Sequence, residues 1–301
     1  MTSAPMGAEP AGAEPIRCGA VLPGGTATEQ LDLALLAEES GWDGVFTWET
    51  AYGVDPWSLL AAIAARTSRV RLGTMLTPLP WRRPWKLASQ VATVDQLSAG
   101  RAILAIGVGA ADAELPDTGE ETGLRERAAM MDEGIDLIRG LWEGRGYEGT
   151  IYRFRPGQMD LAAAGRPVQS RIPVWVVGVW PGQTSMRRVL RCDGVIPQYR
   201  EPAAGTPGDA RAVRNWLTGQ GAGPGFDIVA DGETPAADRA AAHAQVGAWQ
   251  QAGCTWWLET RWGVTEDLPD RMAAMRDRLA AGPPRPDAAQ AARDPAAEAR
   301  A

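Results

Sequence analysis

Apolar residues along the chain fall into short continuous runs, each followed by a stretch of helical period. IRCGAV, from Ile16, precedes a helix expected over Thr28 to Ser40. DGVFTW, from Asp43, precedes DPWSLLAAIAARTS, where Asp55 is a good side-chain cap and Pro56 sits just inside the first turn. VRLGTML leads to a helix over about Pro84 to Leu97, and RAILAIG to one over about Leu124 to Trp142. IPVWVVG is followed by TSMRRVLRC, and DGVIPQ by a helix near Ala210 to Leu217. FDIVADG is followed by PAADRAAAHAQVGAWQQAG, and TWWLET by a helix from about Glu266 to Ala281.

Eight such strand–helix units predict an α/β fold, a (β/α)8 TIM barrel. The strands are short, β-branched and apolar on both faces, as parallel strands covered by helices must be. A doubly wound sheet is the runner-up, but no G-x-G-x-x-G follows the first strand. Gly144 to Arg171, with GYEGTIYRF, predicts a small hairpin insertion before the fifth strand. Residues 1–15 and 282–301 are rich in alanine, proline and glycine and lack large apolar side chains. They are expected to be disordered tails around a barrel domain spanning 16–281.

Composition narrows the chemistry. The net charge is −7 with no basic block, which argues against nucleic acid as a partner. His243 is the sole histidine and Lys86 the sole lysine. A triad or multi-histidine metal site would have to use the first, and a Schiff base the second. His243 lies in an alanine-rich amphipathic helix, away from any strand end, and is expected to be structural or exposed; Lys86 is expected at the surface. Cys18, Cys192 and Cys254 are far apart and beside apolar runs, so they read as buried free thiols in a reducing compartment. No apolar run reaches the roughly 20 residues of a membrane span, and the N-terminus is not that of a signal peptide. A cytoplasmic location without membrane contact is expected.

In a barrel of this type the site lies where strands end. Those ends are Trp48-Glu49-Thr50, Thr74 to Pro78, Gly107 to Ala110, Gly178 to Gly182, Pro197-Gln198, Asp231, and Glu259 after Trp256-Trp257. The set is aromatic and glycine-rich with few ionisable groups, which suits a flat heterocycle better than hydrolysis. The third strand opens into TPLPWRRPWK. Its prolines lower the entropy lost on ordering, and its indoles can wall a pocket. GVWPGQTS leads into a helix whose free N–H groups favour a phosphate. Thr184 or Ser185 is the expected cap, and Arg187 and Arg188 lie in the next turn. Gly107 and Gly109 either let a ligand approach the backbone or simply turn it.

The segments GWDGVF, DPWSLLAAIAARTSRVRLGTMLTPLPWRRPWKLA, VDQLSAGRAILAIGVG, LIRGLWEG, IPVWVVG and RCDGVIP resemble the luciferase-like (bacterial luciferase family) flavin-dependent oxidoreductases and monooxygenases. The resemblance runs from about Ile16 to Glu259. It implies a barrel that binds FMN or the deazaflavin coenzyme F-420 at the C-terminal face. It further implies a non-proline cis peptide at the end of the third strand, here Met75–Leu76, and a homodimer formed through helices on one side. Cofactor contacts are expected from Trp48, Thr74, Met75, Gly107, Gly109, Gly178, Val179, Trp180 and Thr184. One departure stands out. Many deazaflavin-using relatives carry Asp-His at the end of the second strand, and this chain has Glu49-Thr50.

The leading expectation is a monooxygenase that uses reduced FMN and oxygen on a small organic substrate, with a separate flavin reductase as a possible partner. Glu49 is the expected proton donor or substrate orienter. Trp81, Trp256 and Glu259 are the expected substrate pocket, although Glu259 could instead pair with Arg261. Alternation puts one of Trp256 and Trp257 inside the barrel. No metal is expected. The alternatives are deazaflavin-dependent hydride transfer, with Arg82, Arg83 and Arg187 along the rim for an anionic tail, and a non-catalytic flavin-binding protein. Otherwise Arg82 and Arg83 form a solvated loop face.

Overall fold

The computed structural model describes residues 14–109, 119–155, 165–200, 205–262 and 267–286. Its first half runs β1 (Arg17–Val21), α1 (Ala27–Glu39), β2 (Gly44–Thr47), α2 (Pro56–Arg66), β3 (Arg71–Thr74), β4 (Thr77–Pro78), α3 (Pro84–Leu97), β5 (Ala102–Gly107) and α4 (Leu124–Trp142). A short hairpin, β6 (Tyr147–Glu148) and β7 (Arg153–Phe154), follows. The second half runs β8 (Val174–Trp180), α5 (Gln183–Val189), β9 (Gly194–Tyr199), α6 (Pro207–Gly219), β10 (Asp227–Gly232), α7 (Arg239–Gln251), β11 (Trp256–Glu259) and α8 (Leu268–Ala280).

The strands β1, β2, β3, β5, β8, β9, β10 and β11 pair in parallel, and β11 closes back onto β1. The ring is the expected (β/α)8 barrel. The third strand is interrupted where VRLGTML had been expected to run on. Met75–Leu76 is a cis peptide, at the place the resemblance implied, and β4 resumes beside β5 after this bulge. Trp180–Pro181 is also cis, which the sequence did not announce.

The barrel is filled, not hollow. Phe46, Trp175 and Trp256 meet in its interior with ring centroids 5.3–5.8 Å apart. Neighbouring strands make room with glycines. A Cβ at Gly19, Gly44, Gly73 or Gly194 would fall within 2.5–3.0 Å of one of these three rings. Large side chains on some strands therefore require small ones beside them in the same layer. Below the plug, the Trp175 Nε1–H donates to Asp227 (3.0 Å), and the Arg17 guanidinium lies 5.6 Å from the Trp256 ring centroid.

Five helices begin with a side-chain cap. Thr26, Asp55, Thr206, Asp238 and Asp267 each accept the N–H three residues on. Because every helix starts at the end where its preceding strand stops, these caps ring the C-terminal face. At the opposite face Arg101 closes α2, donating to the carbonyls of Ala64 (3.1 Å) and Thr67 (2.7 Å). The insertion is tied down by carboxylates. Glu133 of α4 accepts the N–H groups of Thr150, Ile151 and Tyr152, and buried Asp95 of α3 accepts those of Val168 and Gln169.

The three cysteines are buried free thiols. His243 is buried on α7 and accepts from Arg239 Nε at 3.2 Å. The chain is followed beyond Ala281, where Arg285 donates to Asp43 at 2.7 Å. Lys86 is exposed in the first turn of α3, on a groove of about 620 Å³ between α2 and α3. No helix among the described residues is long and apolar enough to cross a membrane.

Candidate active site

Strand parity decides which side chains reach the barrel mouth. On β2, Phe46 points inward, so Trp48 does also. On β3 and β8 the inward series are Gly73–Met75 and Trp175–Val177–Val179. Trp48, Met75 and Val177 accordingly pack on top of the interior plug and form an apolar floor at the mouth. Trp262 stands beside it, edge-on to Trp48 with centroids 6.3 Å apart.

Glu49 follows Trp48 and turns into a charged brace. Its Oε1 accepts from Arg82 Nε at 2.6 Å, and Arg82 Nη2 donates to Asp55 at 2.8 Å. Arg82 is therefore a half-buried link between the β2–α2 and β4–α3 loops, not the solvated loop face expected. The Glu49 side chain is only 7% exposed, and burial raises its carboxyl above the ordinary value despite Arg82. Asp55 moves the other way: burial would raise it, but the bonds from Arg82 and Ser58 outweigh this and lower it. A cavity of about 390 Å³ opens beside the brace, lined in part by Glu49, Tyr52, Val54, Trp81 and Arg82. The Trp81 Nε1–H, buried at its edge, has no hydrogen-bond partner among the described residues.

Behind this wall a hydrogen-bond chain fixes the bulge. Trp57 Nε1–H donates to Thr77, Thr77 to Thr74, and Thr74 to the Ala105 carbonyl, each at 3.0 Å. The Thr74 hydroxyl is thus used inside the wall and does not face the mouth.

Two turns flank the floor. At the end of β5, Gly109 has φ +79°, and a Cβ there would lie 3.0 Å from Pro78 and the Trp81 ring. Arg127 of α4 reaches into this turn and donates to the carbonyls of Val108 (2.8 Å) and Gly109 (2.7 Å). A Cβ on Gly107 would sit 2.9 Å from Leu76. At the end of β8, Ser185 accepts the Val179 N–H at 3.0 Å and bonds the Gly182 carbonyl at 3.1 Å. Ser185 thus shapes the turn, while Thr184 beside it is exposed. Arg188 is held by Asp132 at 2.7 Å, and Arg187 is exposed.

Four other expected site residues lie elsewhere. Trp256 starts β11 and is part of the interior plug, on the side away from the mouth. Gly178 faces outward: a Cβ would meet Met186 and Val189 at 2.8 Å, so it serves the close packing of α5. Trp180 also faces outward and packs against Trp216 at 6.0 Å. Glu259 is fully buried between β11 and α7–α8. Its carboxylate accepts from Thr234 N (2.7 Å) and Thr234 Oγ1 (2.6 Å), with Arg278 at 3.7 Å. Arg261, its expected partner, pairs with Glu233 instead at 2.7 Å.

One of the strand ends carries a carboxyl to which the sequence assigns no role. Asp231 sits opposite Leu258 in the sheet register and therefore points inward at the end of β10. Its only hydrogen bond among the described residues comes from Trp262 Nε1 at 3.3 Å. Burial raises its carboxyl, with Trp262 opposing. The signal was present in the sequence: an acid ending an otherwise apolar strand. No group of three His, Cys, Asp or Glu among the described residues is placed to hold a metal ion.

The donor set fits a flat, largely apolar coenzyme ring. The floor is apolar and carries an indole, the buried Trp81 N–H lies against the Gly109 turn, and two braced backbone turns follow strands β5 and β8. Comparison with known proteins shows the family. The luciferase-like monooxygenase family model matches residues 11–300. An uncharacterized protein of Mycobacterium tuberculosis is 32% identical over 231 residues, covering 76% of each chain. An F-420-dependent glucose-6-phosphate dehydrogenase of Nocardia farcinica is 38% identical over 154 residues, 46% of each chain. Among solved structures, a monooxygenase from Streptomyces bottropensis superposes with TM-score 0.67 at 23% identity, covering 88% of this chain and 98% of that one.

Proposed function

The chain belongs to the luciferase-like monooxygenase family, and from this we propose that it is an oxidoreductase whose flavin-type coenzyme lies on the Trp48–Met75–Val177 floor. The observation that carries the reading is that floor: an apolar platform on a filled barrel, flanked by two braced turns. Bound there, the coenzyme would supply hydride transfer if it is deazaflavin, or activation of oxygen if it is FMN. The chain's own part is to bind, orient and exclude water. Trp48 and Met75 would support the ring, Trp81 would wall it and offer its unpaired N–H, and the turns at Gly107–Gly109 and Val179–Ser185 would hold its polar parts. The Glu49–Arg82–Asp55 brace would keep the two walls of the cavity in register.

We favour deazaflavin. Support comes from the curated relative of known coenzyme described above, although this chain matches only about half of that protein's length. Reduced FMN with oxygen is the second reading. It is favoured by the state of Arg82, which is engaged by two carboxylates and so withdrawn from a rim that would hold a long anionic tail.

The test is an anaerobic titration with reduced FMN and, separately, with reduced deazaflavin, following tryptophan emission. Quenching by deazaflavin alone is the expected result. Quenching by FMN alone would move the reaction to oxygen chemistry. Quenching by neither would remove the coenzyme from the mouth.

A further inference from the structure

One carboxylate at the mouth stands apart from the ion pairs around it. Arg82 is shared by Glu49 and Asp55, and Arg261 is taken by Glu233. That leaves Asp231 as an inward-facing carboxylate with no cation beside it among the described residues. An ionised carboxylate partly shielded from water without a cation is costly, and desolvation already raises this one. Its single partner is an indole N–H, and that indole stands edge-on to Trp48. A carboxylate with one indole N–H as its partner, at the inward-facing end of a strand that leads into the mouth, is an arrangement that recognises positive charge. The carboxylate supplies the ion pair.

We propose that the substrate carries a positive charge, as an alkyl- or arylammonium group, and that Asp231, beside Trp262, receives it. This rests on the mouth being the reaction site, as proposed above. It predicts a substrate class opposite in charge to a phosphorylated sugar. The proposal concerns binding only, so it requires no redox step.

The experiment uses the full chain without coenzyme and an isosteric series: benzylammonium, benzyl alcohol and benzoate. Binding is followed by isothermal calorimetry at low and at physiological salt. Benzylammonium is expected to bind at least about tenfold more tightly than benzyl alcohol, with a preference that weakens at higher salt. Benzoate is expected not to bind. Asp231→Asn should reduce the preference to less than about twofold while the affinity for reduced coenzyme is kept. Equal binding of the ammonium and the alcohol by the unaltered protein would overturn the proposal, whether or not the variant folds. A preference that survives in Asp231→Asn would overturn it as well. The coenzyme titration separates the two ideas. Coenzyme binding without ammonium preference refutes the charge assignment alone. Ammonium preference without coenzyme binding refutes the oxidoreductase reading and keeps Asp231 as a cation site.

Discussion

Glu49, Glu259 and Asp231 are three carboxyls raised by burial, and each is held differently. Glu49 is braced by one arginine, Glu259 is saturated by Thr234 donors, and Asp231 is nearly free. Substitutions should therefore separate them. Glu49→Gln removes the charge that positions Arg82 across the cavity. Turnover is expected to fall about tenfold or more, because the cavity walls lose their alignment, while coenzyme affinity holds. Unchanged turnover would take Glu49 out of the mechanism. Glu259→Gln turns an amide N–H toward donors that need an acceptor. It is expected to lower stability by about 1–3 kcal/mol, read as a shift in urea midpoint, and to leave coenzyme binding alone. The pH dependence has a definite sign. A carboxyl raised in the fold keeps its proton at pH values where the unfolded chain has released it. Its contribution to stability is complete below the unfolded value and is lost as pH rises through the folded one. Asp55, lowered in the fold, acts in the opposite sense. Replacing Asp231 with Asn should therefore flatten part of the decline in stability toward neutral pH. Denaturation curves of both proteins across about pH 4–8 measure it, and identical slopes would contradict it.

Elements were legible because their signals are local. Continuous apolar runs marked each barrel strand, and α3 and α4 begin and end where the periodicity placed them. What the sequence withheld was parity. When both faces of a strand are apolar, nothing local says which residues point into the barrel, and a shift of one residue exchanges them all. Thr74, Gly178, Trp180 and Glu259 were expected at the site, but each stands one residue from an inward-facing position, next to Gly73, Val177, Val179 and Leu258. Partners distant in sequence were equally hidden. Arg82 lies 33 residues from Glu49, and Arg127 reaches the β5 turn from the following helix. The packing of α5 on β8 depends on one such hidden position. Gly178→Ala would place a methyl 2.8 Å from Met186 and Val189. A stability loss of about 1–3 kcal/mol is expected, and the turn shaped by Ser185 should loosen with it. An unchanged denaturation midpoint would show that α5 can move away without cost.

At the scale of the whole molecule, the barrel divides into a sealed lower half and an open upper one. Phe46, Trp175 and Trp256 fill the lower half, and glycines on adjacent strands set their spacing. Trp256→Leu should therefore lower stability by about 3 kcal/mol, in the range of large-to-small core changes, without altering coenzyme affinity at low temperature. Weaker coenzyme binding at full stability would instead return Trp256 to the pocket wall. The sole lysine has a practical consequence. Lys86 is exposed in the first turn of α3, on the outer flank of the wall that carries Trp81 and Arg82. Apart from the chain's α-amino group, an amine-reactive reagent has one side-chain address on this protein. A single dye, spin label or surface tether can be placed there without mutagenesis, on the far side of the cavity wall from the coenzyme floor.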